Sequence, residues 1–185
     1  MTQDATKKDF IELPEKQTNK IVKYFDKETM RKRDEGGYIA DDYPNFTPDY
    51  SPLEILDAGA FGGTYFRTIQ SGVLGKELKA DSSDAIGGLP KEFKGRDQSQ
   101  KEDVKLNKFK KHSGQSLQEW EKNNWIEPID PYGWFQWYCR FYYGRRSYDD
   151  IRQIDRWKSF KSRNGNKTQD GWKQGLLHWA IKEKS

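Results

Sequence analysis

The stretch from Asp130 to Arg146 (Asp-Pro-Tyr-Gly-Trp-Phe-Gln-Trp-Tyr-Cys-Arg-Phe-Tyr-Tyr-Gly-Arg-Arg) is the densest apolar run of the chain and constrains its fold more than any other segment. Helix punctuation frames it. Asp130 is placed to cap the first free amides, and Pro131 suits the first helical position, where a missing N–H costs nothing. Gly144 supplies the stop, because a residue without a Cβ readily enters the left-handed conformation that closes a helix, and Arg145 and Arg146 follow at the negative end of the dipole. Between these ends Trp134, Trp137, Tyr138 and Phe141 make one apolar face, and Phe135, Cys139 and Tyr142 make a second. A helix apolar on two sides is a buried, central one. Gln136, Arg140 and Tyr143 form a third stripe, and that stripe needs a separate explanation.

A buried helix needs a core around it, yet only 33% of residues are hydrophobic, 34% are charged and the mean hydropathy is -1.13. Aromatic residues, 15% of the chain, make up the shortfall, since each buried ring removes about 150–250 Å² from water. The expected fold is therefore mainly α: a small helical domain around a central aromatic helix, with long loops and at most a minor β element near 61–68. A length of 185 residues suits a single domain over 18–185 preceded by a polar arm over 1–17. A polar surface excursion interrupts that domain at about 81–111.

Taken in order, the apolar positions Ile21, Val22, Tyr24 and Phe25 predict a short amphipathic helix from Thr18 that dissolves at the basic triplet Arg31-Lys32-Arg33. Ser51-Pro52-Leu53-Glu54 is a capping box with proline in the first turn, and Gly59 limits that helix to about two turns. A turn of helix is expected from Pro90 to Phe93. Ser116 to Glu119 is a second box, with Leu117 and Trp120 facing inward, and Ser147 to Asp150 is a third, opening a helix to about Ser162 with Ile151 and Ile154 apolar. A last helix from about Gln169, capped by Thr168, places Trp172, Leu176, Trp179 and Ala180 on one face.

Several chemistries are excluded by spacing alone. The chain has no phosphate-binding Gly-x-x-x-x-Gly-Lys-Ser/Thr, no Gly-x-Ser-x-Gly, no His-Glu-x-x-His and no pair of cysteines. His112 and His178 are the only histidines, so neither a multi-histidine metal site nor a cofactor is expected. Cys139 stands alone inside the aromatic helix, which fits a reducing, cytoplasmic compartment. No run of about 18 apolar residues is present, so no membrane partner is expected.

The candidate site is a cluster of arginines among rings. Burying the Arg140 guanidinium requires a carboxylate, a stacked ring or a bound anion. Internal pairing would come from Asp149, Asp150 or Asp155 on the next helix. The functional reading instead makes Gln136, Arg140, Tyr143, Arg145, Arg146, Tyr148, Arg152 and Arg156 a surface for phosphates alternating with stacked bases, DNA or RNA being the partner favoured by the net charge of +4. Gly62, Gly63, Thr64 and Arg67 form a candidate anion-binding turn, although a glycine pair also simply permits a tight bend.

The segments Phe61 to Arg67 and Asp130 to Arg146 resemble those of an uncharacterised family of hypothetical proteins from phages, large DNA viruses, algae and fungi, over roughly Ser51 to Phe160. The resemblance implies a viral origin, and with it host cytoplasm, and a role linked to nucleic acid; it transfers no catalytic residue. The leading expectation is a nucleic-acid-binding protein. Two alternatives stand beside it: an enzyme acting on a nucleotide or nucleobase in a pocket lined by 61–67 and 130–146, and a phage structural or host-interaction protein that buries exposed tryptophans against a protein partner.

Overall fold

Helix α4, Trp134–Tyr142, is enclosed on every side, with all nine of its residues buried. The computed structural model describes residues 29–184 together with the backbone of Phe10–Ile11 and Val22–Lys23. α4 begins at Trp134 and not at Pro131. Gly133 precedes it at φ +103°, where Ile126 and the Trp120 ring crowd the space a Cβ would need. Asp130 does not cap the helix, because ionic hydrogen bonds to Arg140 and Arg145 engage both of its carboxylate oxygens. The Tyr65 hydroxyl serves the helix start instead, accepting from the Gln136 amide at 3.1 Å and donating to Tyr132 O at 2.7 Å. The stop lies at Gly144, φ +104°: its amide donates to Phe141 O (3.0 Å) and the Arg145 amide to Arg140 O (2.9 Å), the doubly bonded glycine closure of a helix.

Rings surround α4. Phe46 inserts edge-on among Trp134, Tyr138, Phe141 and Trp157 with centroids 5.0–6.2 Å apart, and Phe61 and Tyr65 approach Phe135 at 4.8 and 4.9 Å. Such pairs contribute about 0.5–1.5 kcal/mol each beyond the area they bury, which explains how a chain poor in aliphatic residues holds a core. Helix α1, Pro52–Ala58, has the complete Ser51–Glu54 capping box and ends on Gly59 at φ +84°. Helix α3, Leu117–Lys122, is capped by Ser116 and buries Leu117. The long helix α5, Asp150–Asn164, and the shorter α6, Asp170–His178, pack in sequence behind α4.

Polar side chains set the rotation of α5 and α6, and one apolar residue on each faces solvent. Asp150 is buried and accepts from Trp137 Nε1 at 2.9 Å, which turns Ile151 outward to 65% exposure. Gln174 bridges Gly59 O, Ala60 O and the Phe109 amide, which turns Trp172 outward to 39% exposure. Thr168 does not cap α6, whose first flanking residue is Gln169 and makes no side-chain cap.

The β content is minor and lies elsewhere than expected. Strands β3 (Met30–Lys32) and β4 (Tyr38–Ala40) form one antiparallel hairpin, and β5 (Ile69–Ser71) and β6 (Lys76–Leu78) another, so 61–68 is a turn preceding the second. The basic triplet begins in β3 and not at a helix end, and the hairpin pairs Arg31 with Asp41. Val22–Lys23 (β2) pairs with Phe10–Ile11 (β1), which replaces helix at that point; Ile21, Tyr24, Phe25 and the rest of the 1–17 arm lie outside the described residues. The 81–111 tract is not merely surface. It carries a short helix α2, Ser83–Ile86, and single 3₁₀ turns at Lys91–Phe93 and Val104–Leu106, and it buries Ala85, Phe93 and Asn107 completely.

Candidate nucleic-acid interface

The 81–111 tract covers the polar stripe of α4. Gln136 is fully buried: its Nε2 donates to Asp84 O and Ala85 O at 2.7 and 3.0 Å, and its Oε1 accepts from the Tyr132 amide at 2.9 Å. Arg140 has five N–H donors and five acceptors. Nε meets Gly87 O (3.0 Å), Nη1 meets Ile129 O (2.9 Å) and Asp130 Oδ1 (3.1 Å), and Nη2 meets Ser83 O (3.1 Å) and Asp84 O (3.2 Å). Three of the four carbonyls come from α2 and the Gly87 that follows it, the negative pole of that short helix, and the fourth from Ile129. Arg145, also buried, closes a two-point fork on Asp130 at 2.6 and 2.5 Å. The internal partner of Arg140 is thus Asp130, not Asp149, Asp150 or Asp155. Gln136, Arg140 and Arg145 have no face left for a ligand, and the nucleotide pocket envisaged around Gln136 and Arg140 is filled by the protein's own chain.

The remaining members of the cluster lie nearer the surface. Tyr143 is half-buried and edge-on to Phe93 at 5.6 Å. Arg146 forks onto Asp42 at 2.7 and 3.1 Å and lies 3.7 Å above the Phe141 ring. Tyr148 donates to Glu127 Oε2 at 3.3 Å, and Arg152 forks onto Asp149 at 2.6 and 3.0 Å. Arg156 bonds only neutral acceptors, Trp125 O and Gln153 Oε1, at 3.3 and 2.9 Å. The eight residues therefore do not form one patch. They divide between a sealed hub, surface points at Tyr143, Arg146 and Tyr148, and an Arg152–Arg156 pair that shares the Trp125 carbonyl.

The glycine turn is packed against the 99–103 segment, which brings the Glu102 side chain up to it. Gly62 O accepts from the Asp103 amide (2.9 Å) and Gly63 O from the Ser99 amide (3.0 Å), and the Glu102 side chain packs where a Gly62 Cβ would stand. Thr64 Oγ1 donates to Ser99 O, and Arg67 reaches back to Thr64 O and Tyr65 O at 3.5 and 3.4 Å. Of the histidines, His112 is exposed and bonded to Glu102 at 2.6 Å, which together with the carboxylate charge raises its pKa. His178 donates to Ala60 O at 2.7 Å, and burial lowers its pKa to about 4, so it is neutral near pH 7.

The concave positive surface lies elsewhere. An open groove of about 780 Å³ runs between the C-terminal half of α5, the 45–49 loop and the C-terminal segment, lined by Lys158, Lys161, Lys182 and Lys184 together with amide groups of Asn45 and Asn166. All four lysines are exposed. Of the two carboxylates in the lining, Glu183 pairs with Lys108 at 3.4 Å, and Asp49 accepts from the Lys182 amide at 2.7 Å and keeps its charge. Residues 156–184 hold eight lysines and arginines against two acids, a larger excess than the +4 of the whole chain. Sequence reading missed this site because its walls come from three distant segments. The local signal was the run of basic residues after residue 156.

No helix among the described residues is long and apolar enough to cross a membrane. Neither a protein-family model, nor a curated protein, nor a solved structure matches the chain, so the geometry alone carries the functional argument.

Proposed function

We propose that the protein binds nucleic acid, and that the lysine groove beside α5 is the surface that does so. The observation that supports this reading is the convergence of Lys158, Lys161, Lys182 and Lys184 on one open concavity, against the two carboxylates Asp49 and Glu183, the second of which is paired with Lys108. Lysine ammonium groups act as mobile point charges that track phosphates without reading bases. Asn45 and Asn166 add amide groups that suit sugar and phosphate oxygens. The arginine stripe plays no part in this reading beyond holding α4 in place.

Fluorescence anisotropy with labelled DNA and RNA oligonucleotides across a salt series tests it. Binding weakens with salt, and four neutralised phosphates correspond to a slope of log K against log salt of roughly -3 for a single strand. The double reversal K158E/K161E abolishes binding. Absence of salt-sensitive binding even at low salt removes the proposal.

A further inference from the structure

Arg156 differs from the other arginines of the cluster in what its guanidinium meets. Its Nη1 is anchored by Trp125 O and Gln153 Oε1, while Nε–H and the Nη2 hydrogens have no acceptor among the described residues and are not sealed from solvent. Asp149, the carboxylate about two turns away on the same side, is held at both oxygens by Arg152. The Trp125 and Trp179 rings flank the guanidinium, with centroids 5.6 and 5.3 Å from its central carbon. The Trp179 ring is itself held, stacking on Phe160 at 4.9 Å and packing on Trp134 at 4.8 Å, which gives the cation one fixed wall.

We infer that Arg156 is a receptor for a phosphate group, taking two of its oxygens side-on through the Nε–H and Nη2–H fork between the Trp125 and Trp179 rings. The fork geometry of arginine matches two phosphate oxygens, and the flanking indoles displace the water that would otherwise screen the contact. Desolvation first, and repulsion from Arg152 second, lower the Arg156 pKa to about 10, so its charge is under-compensated in the free protein and an arriving anion restores the balance. Arg152 beside it is already paired with Asp149, so the preference for phosphate over a singly charged carboxylate rests on the second negative charge a phosphate brings to the under-compensated Arg156 guanidinium. The site is independent of the lysine groove, since Arg156 lies roughly 140–200° around the α5 axis from Lys161 and Lys158 at 3.6 residues per turn. The phosphate has two possible sources, a free phosphate or the backbone of a nucleic acid.

Proton–nitrogen NMR of the arginine Nε–Hε groups, assigned by loss of one signal in R156K, reads the site directly in the wild-type protein. Titration with inorganic phosphate, with a thymidine oligonucleotide and with acetate separates the cases. A saturable shift of the Arg156 signal with phosphate assigns a free phosphate ligand. A shift with the oligonucleotide alone assigns the backbone as the source. R156K keeps the charge but lacks the fork, and loses the saturable response recorded by fluorescence of the flanking tryptophans. No saturable shift with either phosphate ligand, or an equal shift with acetate, overturns the inference. Binding to the groove is scored separately by K158E/K161E, so failure at one site does not mask success at the other.

Discussion

Arg140 on α4 and Arg156 on α5 carry the same guanidinium on neighbouring helices, but the chain completes one and leaves the other open. Arg140 meets five acceptors, four of them carbonyls and one the Asp130 carboxylate, and it ties α2 and the 129–130 turn to the central helix. Among the described residues Arg156 meets two acceptors, both neutral, and its outer edge meets none. The contrast shows that an arginine among aromatic rings is not in itself a binding residue. What decides is whether backbone carbonyls and a carboxylate converge on it during folding, because a buried guanidinium cannot discard its proton and must be satisfied where it stands.

The most severe way to break the completed side is to remove its carboxylate. Asp130→Ala leaves Arg140 and Arg145 buried without their counter-charge, and a loss of about 3–5 kcal/mol in denaturant unfolding is expected. A loss below about 1 kcal/mol would show that the hub contributes little.

A second measurement sharpens the comparison with groups that, unlike arginine, can change their charge. His178 is held neutral, its pKa lowered to about 4 from 6.5, so the unfolded chain takes up the proton first as pH falls. Its contribution to stability is complete above pH 6.5 and declines until about pH 4, by at most about 3 kcal/mol. Asp97 acts in the opposite sense: burial raises its pKa from 3.8 to about 6, so the folded chain binds the proton more tightly and stability rises as pH falls through that range. Asp97→Asn therefore steepens the loss of stability between pH 6 and 4, and His178→Asn flattens it, both read from thermal unfolding across pH.

The start of α4 offers a smaller effect. Gly133→Ala forces a side chain into φ +103° against Ile126 and Trp120, with an expected cost of about 1–3 kcal/mol in denaturant unfolding. Smallest is the effect of groove charge on stability. K158E/K161E changes unfolding free energy by no more than about 1 kcal/mol while removing oligonucleotide binding, because both lysines are exposed and the buried group they meet is the Trp157 ring, 5.1 Å from Lys161 Nζ. A large destabilisation in that variant would make the groove part of the scaffold and undo the distinction between the two regions.

Much of the scaffold was legible along the chain. Trp134, Trp137, Tyr138 and Phe141 repeat at helical spacing, and Ser51 with Glu54 caps α1 as its spacing requires. Gly144 closes α4 in the expected left-handed conformation. Asp130 was misassigned because its local signal, an acid before proline and an apolar run, is that of an N-cap. Two guanidiniums that reach it from 10 and 15 residues away outcompete one amide. The rotations of α5 and α6 were equally illegible, since Asp150 and Gln174 override the apolar pattern by bonding partners on other elements.

The sequence by itself determined that a ring-rich helix would occupy the centre, that Gly144 closes it, and that Ser51 and Ser116 open α1 and α3. These are short-range properties of side-chain spacing, capping and composition. Only the tertiary structure decided which arginines are sealed and which remain open, and where lysines from 158 to 184 meet in one groove. The reason is physical: a donor's availability depends on which carbonyls and carboxylates reach it through space, and for Arg140 these lie 53 to 57 residues away on α2 as well as 10 and 11 away in the preceding turn.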